Sequence, residues 1–233
     1  MFTSERDSLA VRSMVIVREI HTTQMIHRFV LQKLGLYPTY LLYRGWLTDV
    51  GWVRTSLKRE PATRDGAPIP WMTYPAIRFL EGRLSKSMEV FEFGAGNSTL
   101  WWADRVGRID ACEHDPHWYE TTRARLPSNA SLIHHLLEPD GDYCRAAGAT
   151  HSKYDIVVID GRDRVNCARH SLTALKAAGV FIWDNSDRPE FDEGMQVMAS
   201  HGFRCLDFEG LGPVNPYTWR TSILYRDENC FGI

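Results

Sequence analysis

The stretch Val90-Phe-Glu-Phe-Gly-Ala-Gly-Asn-Ser-Thr99 constrains the fold of this chain more than any other. An apolar run ends there in an acidic residue and two close glycines, and Asn97, Ser98 and Thr99 can cap a helix opening near Leu100. The pattern predicts a strand, a tight turn and a helix start. Gly94 and Gly96 tolerate backbone angles closed to other residues and let a ligand reach the main chain of Gly94-Ala95-Gly96. A nucleotide-like cofactor is expected at this turn. The dinucleotide fingerprint asks for a further glycine three residues after the second, and Thr99 stands there instead.

The chain after this turn alternates strands with helices. Strands are expected at Arg108 to Glu113, Ser131 to Leu137, Tyr154 to Asp160, Val180 to Trp183, Phe203 to Phe208 and Thr221 to Arg226. Helices are expected at Leu100 to Val106, after His114, at Cys167 to Lys176 and at Phe191 to Ser200. That rhythm implies parallel strands with helices on both faces and right-handed connections. The last two strands are joined by a Gly- and Pro-rich loop, Glu209 to Trp219, and should pair antiparallel. Glu92, Glu113, Asp160 and Asp184 all fall at carboxyl ends of strands, where ligands bind in such sheets. Glu113 lies about 20 residues beyond the glycine turn, the place from which an acidic side chain accepts ribose hydroxyls.

The chain before the turn reads as an extension. From Leu9 to Leu34 there is no Gly or Pro, and Val11, Met14, Val15, Ile20, Met25, Ile26, Phe29 and Val30 recur at helical spacing among mostly basic charges. Such a helix suits packing on the rest of the chain, a homodimer contact or a membrane surface. A second element is expected from Tyr40 to Leu57. Lys58 to Pro70, with Pro61, Gly66, Pro68 and Pro70 among charges, reads as a linker. Residues 1–66 are thus the helical extension and 67–233 the ligand-binding domain. A helix from Ala76 to Leu84 should follow Trp71-Met-Thr-Tyr-Pro75.

Composition narrows the partners. The formal net charge of -2 over 233 residues gives no global attraction to nucleic acid, so none is expected as a partner. The five cysteines are scattered without zinc spacing and read as reduced thiols. No apolar run is long enough for a membrane span, and the N-terminus lacks a secretory pattern, so a cytoplasmic location is expected.

Glu92-x-Gly94-x-Gly96, placed in this alternation, resembles the first motif of class I S-adenosylmethionine-dependent methyltransferases. The resemblance covers about Trp71 to the C-terminus. The segments Pro70-Trp-Met-Thr-Tyr-Pro75, Phe91 to Thr99, Ile159-Asp-Gly-Arg162 and Trp183-Asp-Asn-Ser-Asp-Arg188 are similar to those of a bacterial group of methyltransferases close to the FkbM-like proteins. It implies a Rossmann-like α/β fold with a seven-stranded, mostly parallel sheet and an antiparallel last strand. It also implies that Glu92, Gly94, Ala95, Gly96, Asn97, Ser98 and Thr99 surround S-adenosylmethionine, that Glu113 holds its ribose, and that Tyr74 offers a hydroxyl to its carboxylate. Trp118 would stack on the adenine, with Asp140 or Asp142 near its amino group.

Asp160 and Asp184-Asn185 also match, in residue type and strand end, the metal ligands of cation-dependent catechol-type O-methyltransferases. Their hard oxygens suit Mg²⁺, Mn²⁺ or Ca²⁺, an ion able to lower the pKa of an acceptor hydroxyl. The alternative is that Asp160, Asp184 and Asn185 cap helices and orient the cofactor's amino group. The catechol-type lysine base is replaced by Asp163, flanked by Arg162 and Arg164. Asp163 or Asp184 is then the candidate base, or the Arg-Asp-Arg run is an ion-pair patch. Gly210 to Tyr217, with Trp219, should wall the acceptor site. The reading is methyl transfer to an oxygen of a small molecule or glycan. A non-catalytic cofactor-binding scaffold and a nicotinamide-dependent oxidoreductase are the alternatives.

Overall fold

A computed structural model describes residues 25, 27–151 and 153–233. The chain divides into two compact units, one ending at Asp49 and the other running from Val50 to Ile233. Most of the helix expected from Leu9 to Leu34 lies outside the described residues; residues 27–33 are helical. The single element expected at Tyr40 to Leu57 is three short helices, Tyr37–Arg44, Trp46–Asp49 and α1 (Trp52–Lys58). Gly45 interrupts the first in an extended conformation, and Gly51 enters α1 at φ 88°. Among the described residues no helix is long and apolar enough to cross a membrane.

The second unit is built on one seven-stranded sheet. Its strands are β1 (Glu89–Phe93), β2 (Arg108–Glu113), β3 (Ala130–His134), β4 (Tyr154–Ile159), β5 (Leu175–Asp184), β6 (Arg204–Gly210) and β7 (Trp219–Tyr225), in the order β3-β2-β1-β4-β5-β7-β6. β1 to β5 pair in parallel, and β7 is antiparallel to both β5 and β6. The helices are α2 (Tyr74–Glu81), α3 (Asn97–Arg105), α4 (Pro116–Arg123), α5 (Asp142–Arg145), α6 (Arg164–Ser171) and α7 (Asp192–Ser200).

Strand alternation explains the two cores. Phe91, Phe93, Val157, Ile159, Phe181 and Trp183 point to one face, against Tyr143, Cys144, Cys167 and Met198. Val90, Ile156, Val158, Val180 and Ile182 point to the other, against Ile77, Leu80, Trp101 and Trp102. Central strands buried on both faces are what a parallel sheet requires. The order reverses between β1 and β4, so a crevice opens at their carboxyl ends.

The segment from Lys58 to Pro70 is packed rather than loose. Ala62 bridges Pro68, and Asn97 Nδ2 donates to Pro61 O at 2.7 Å and to Glu60 Oε1 at 3.1 Å. Ala62 and Ile69 are buried. The prolines and glycine that suggested a linker instead shape a turn that belongs to the second compact unit.

Candidate functional site

At the end of β1, Glu92 is fully buried on the face covered by α3. Its Oε2 accepts from Thr99 Oγ1 at 2.5 Å, and the same Oγ1 accepts from Gly96 N at 3.0 Å, so the helix start locks onto the strand end. Oε1 has no hydrogen-bond partner. Burial pushes the Glu92 pKa up to about 7, helped by the Glu113 charge, with the Thr99, Ser98 and Trp102 side chains pulling the other way. Gly94 turns the chain at φ 86°, and a Cβ there would come within 3.0 Å of Gly161 Cα and 3.1 Å of Gly161 N. Only glycine allows this turn to lie against the loop that follows β4.

At the end of β2, Glu113 is buried and binds main chain with both oxygens. Oε2 accepts from Ala95 N at 2.9 Å; Oε1 accepts from His114 N and Asp115 N, both at 2.8 Å. Glu113 therefore meets the glycine turn directly. Asp115 caps α4 by accepting from Trp118 N at 2.8 Å, which aims the half-exposed Trp118 back over the turn. Its indole N–H donates to Ala95 O, and a Cβ on Gly96 would lie 3.2 Å from Trp118 Nε1. Glycines, Ala95, two carboxylates and an indole thus form one cradle at adjoining strand ends.

The ends of β4 and β5 are organised by a side chain that sequence reasoning left in an ambiguous charged run. Arg164, four residues beyond Asp160 and nearly buried, donates from Nε to Gly161 O at 2.9 Å and from Nη1 to Asp184 O. Its Nη2 donates to Asp160 O at 2.9 Å and Asp160 Oδ1 at 3.3 Å. Asp184 Oδ1 accepts from Thr221 Oγ1 at 2.6 Å and Trp219 Nε1 at 3.0 Å. Burial raises the pKa of Asp184 to about 6, and burial and the nearby Asp184 charge raise that of Asp160 well above the usual carboxylate range. Asn185 takes a left-handed backbone, φ 53°.

The expected metal set was Asp160, Asp184 and Asn185. As arranged here, this set does not fit a divalent ion. A guanidinium already lies on the Asp160 carboxylate and on the main-chain carbonyls of Asp160 and Asp184, and Asp184 Oδ1 is committed to two donors. Asp163, expected near the chemistry, accepts from Asn166 Nδ2 at 3.0 and 3.2 Å and from Asp140 N at 3.1 Å.

Other expected positions are held by neighbours of their own. Tyr74 is buried; its main chain donates to Leu211 O at 2.8 Å, and burial raises its pKa to about 12 against a hydrogen bond with Thr55. Asn97 faces Pro61 and Glu60 and accepts from Arg125 Nη1 at 3.0 Å, while Ser98 is buried in the first turn of α3. The loop Gly210 to Tyr217 is pinned to α1: Trp52 Nε1 donates to Asn215 O at 2.9 Å and Val214 N to Thr55 Oγ1 at 3.0 Å.

Two further features were not anticipated. The buried Tyr143 sets its hydroxyl under Gly161, where any Cβ would collide with it. Asp140, Cys144 and His170 also gather their ligand-type atoms within 4.8 Å of one another, with His170 Nε2 2.5 Å from Asp140 Oδ1 and Arg145 on the other Asp140 oxygen at 2.8 Å. The Asp140–Arg145 ion pair and the Asp140–His170 hydrogen bond account for that cluster.

Solved structures share this architecture. A precorrin 8w decarboxylase from Methanobacterium thermoautotrophicum superposes with a TM-score of 0.50 and 21% identity, over 72% of this chain and 97% of that one. A precorrin-6y C5,15-methyltransferase from Geobacter metallireducens GS-15 gives a TM-score of 0.52 and 16% identity, over 66% of this chain and 87% of that one. The chain has the class I methyltransferase fold. At these identities the likeness is one of fold. No protein-family model and no curated protein matches the chain.

The cradle passes a direct test for S-adenosylmethionine. Glu92 presents a buried acceptor oxygen with no partner, suited to an ammonium group. Gly94 and Gly96 carry no side chain at the turn, the Trp118 indole lies over Gly96, and Glu113 holds a carboxylate beside that main chain. These residues fit the cofactor.

Proposed function

We propose that this chain transfers a methyl group from S-adenosylmethionine to an oxygen of a small molecule or glycan. The observation that carries the proposal is the orphaned Glu92 Oε1, buried beside a glycine turn that Glu113 holds from the other flank. When bound, the cofactor supplies a methyl group made electrophilic by its sulfonium. Glu92 accepts from the amino group of its methionine end, and the main chain of Gly94 to Gly96 fixes its middle. Glu113 Oε1 takes His114 N and Asp115 N with His114 Nδ1 at 2.9 Å, whereas Oε2 takes Ala95 N alone and is the oxygen that serves a ribose hydroxyl.

Asp160 is the base in this reading. Unlike Asp163 and Asp184, the two candidates named from the sequence, Asp160 keeps 19% of its side chain exposed at the crevice with one contact on Oδ1, Arg164 Nη2 at 3.3 Å. Its raised pKa suits a group that would take the proton of an acceptor hydroxyl as the methyl passed to that oxygen from the sulfonium sulfur, which would leave as a neutral thioether. Asp184 acts as a positioning residue that sets Trp219 and Thr221, and Asp163 as one that ties the loops after β3 and β4. Trp219 and the pinned Gly210 to Tyr217 loop wall the acceptor. The homodimer contact of this reading is the N-terminal helix, Leu9 to Leu34.

Calorimetric titration with S-adenosylmethionine and with NAD tests the reading. Binding of the first, weakened at least tenfold by Glu92→Gln, is expected. Tighter binding of NAD would overturn it in favour of hydride transfer.

A further inference from the structure

Arg164 is more than a strand-end staple. Its guanidinium is surrounded by oxygen alone at its polar contacts: the carbonyls of Asp160, Gly161 and Asp184, and Asp160 Oδ1. Three main-chain carbonyls and a carboxylate are the donor set a hard divalent cation would select. The group that occupies the centre of that set is instead a side chain with a charge no physiological pH removes. Its side chain is 9% exposed, and the guanidinium sits 5.3 Å from the centre of the Phe191 ring, which covers it. Four of its five N–H donors are accounted for by these contacts. A divalent ion entering here would have to expel Arg164 and break those bonds, or sit as a second cation beside it in a buried place.

We infer that Arg164 is a built-in cation that replaces the divalent ion of catechol-type relatives, so that this site holds its acidic groups and its acceptor without a metal. Asp160 and Asp184 are thereby kept together beside Glu92 with one fixed positive charge between them. Arg164 also fixes the carbonyl ends of β4 and β5 relative to each other, and with them the loop that carries Gly161 against Gly94. It is a positioning residue for Asp160. The inference takes the metal-ligand comparison from the methyl-transfer reading but concerns ion binding, which is measured without turnover.

The experiment uses Mn²⁺ as the probe, followed by electron paramagnetic resonance and calorimetry on the full chain, with no cofactor added. Wild type is expected to bind no Mn²⁺ at this site. Arg164→Ala removes the guanidinium, leaves the oxygen cluster without its cation, and is expected to bind one Mn²⁺ and to melt at a higher temperature in its presence. Arg164→Lys retains a charge and is expected to bind none. Should Arg164→Ala fail to fold, wild type still decides. Stoichiometric Mn²⁺ binding by wild type, lost in Asp160→Asn, would overturn the inference, as would a folded Arg164→Ala that binds no Mn²⁺. Wild-type affinity for S-adenosylmethionine is measured separately in EDTA. Its absence would sink the methyl-transfer reading and leave the ion result standing.

Discussion

The two halves of the crevice are built on opposite principles. At the ends of β1 and β2 one polar group is left with capacity: Glu92 Oε1 is unpartnered and buried, beside a glycine turn whose N–H groups are held by Cys112 O, Glu113 and Thr99. At the ends of β4 and β5 most of the capacity is used, with Arg164 on Asp160 Oδ1 and the Asp184 main chain and Asp184 Oδ1 bound by Trp219 and Thr221, and what is left is the remainder of the Asp160 carboxylate. An unsatisfied buried acceptor costs stability, on the order of 1–3 kcal/mol, and is retained where a ligand completes it. A satisfied network costs little and specifies shape. In the methyl-transfer reading the first half is therefore the part that binds, and the second the part that holds a fixed geometry.

The largest effect that could break this contrast lies where the halves touch. Gly94→Ala places a Cβ at φ 86°, a conformation costing about 1–2 kcal/mol for a side-chain-bearing residue. It also drives that Cβ toward the Gly161 backbone at 3.0 Å, and backbone cannot swing away as a side chain can. Loss of measurable S-adenosylmethionine binding is expected by calorimetry, with a lowered melting temperature. Gly161→Ala should fail in the same way by striking the Tyr143 hydroxyl, and Tyr143→Phe in the same chain should restore part of its stability. Full cofactor affinity in Gly94→Ala would mean that the turn is a structural corner and not a cradle.

Next in size is the charge on Glu92. Its pKa is about 7 in the folded chain against an ordinary value of 4.5, so the folded state holds a proton that the unfolded state releases between those values. Stability is therefore intact below pH 4.5 and falls as pH rises through about 7. A shift of this size corresponds to roughly 3 kcal/mol at pH 8. Glu92→Gln should match wild type in denaturant melts at pH 4 and exceed it at pH 8. Cofactor binding should respond in the reverse sense, because the ionised carboxylate is the form that receives an ammonium group. Wild-type affinity should fall as pH drops below about 7, and the Gln variant should bind at least tenfold more weakly with a flat profile. A variant that is no more stable than wild type at pH 8 would show that Glu92 is satisfied in the free protein, and the contrast between the halves would lose its basis.

The sequence disclosed the binding half better than the holding half, for a physical reason. A glycine turn is forced by backbone sterics, so Gly94 and Gly96 are readable from one stretch, and Glu113 follows from the strand period. The seven strands were legible because β-branched and aromatic runs alternate with turn residues, although β5 begins at Leu175, earlier than Val180, and β3 stops at His134. Arg164 was legible only as one charge in Arg162-Asp-Arg164. Its role depends on Asp184, twenty residues away, and on carbonyl oxygens, which carry no residue signature. The i to i+4 spacing from Asp160 was the one clue present. The Tyr40 to Leu57 element failed for a local reason: Gly45 and Gly51 break it, and helical periodicity outweighed them in the reading.

The smallest expected effect sharpens the contrast from within the binding half. Trp118 donates its indole N–H to Ala95 O, so it is the one side chain that already occupies a main-chain acceptor of the cradle. Trp118→Phe keeps an aromatic face for stacking and deletes the donor. If the bond braces the turn for the cofactor, its loss should weaken S-adenosylmethionine binding by about fivefold, the worth of one neutral hydrogen bond near 1 kcal/mol. The expected result is this modest weakening, read by calorimetry, with the variant's melting temperature close to wild type because residue 118 is half exposed. Tighter binding by the Phe variant would reveal instead that the indole covers the cradle and must be displaced. In that case the binding half too would be partly self-satisfied, and its openness would rest on Glu92 alone.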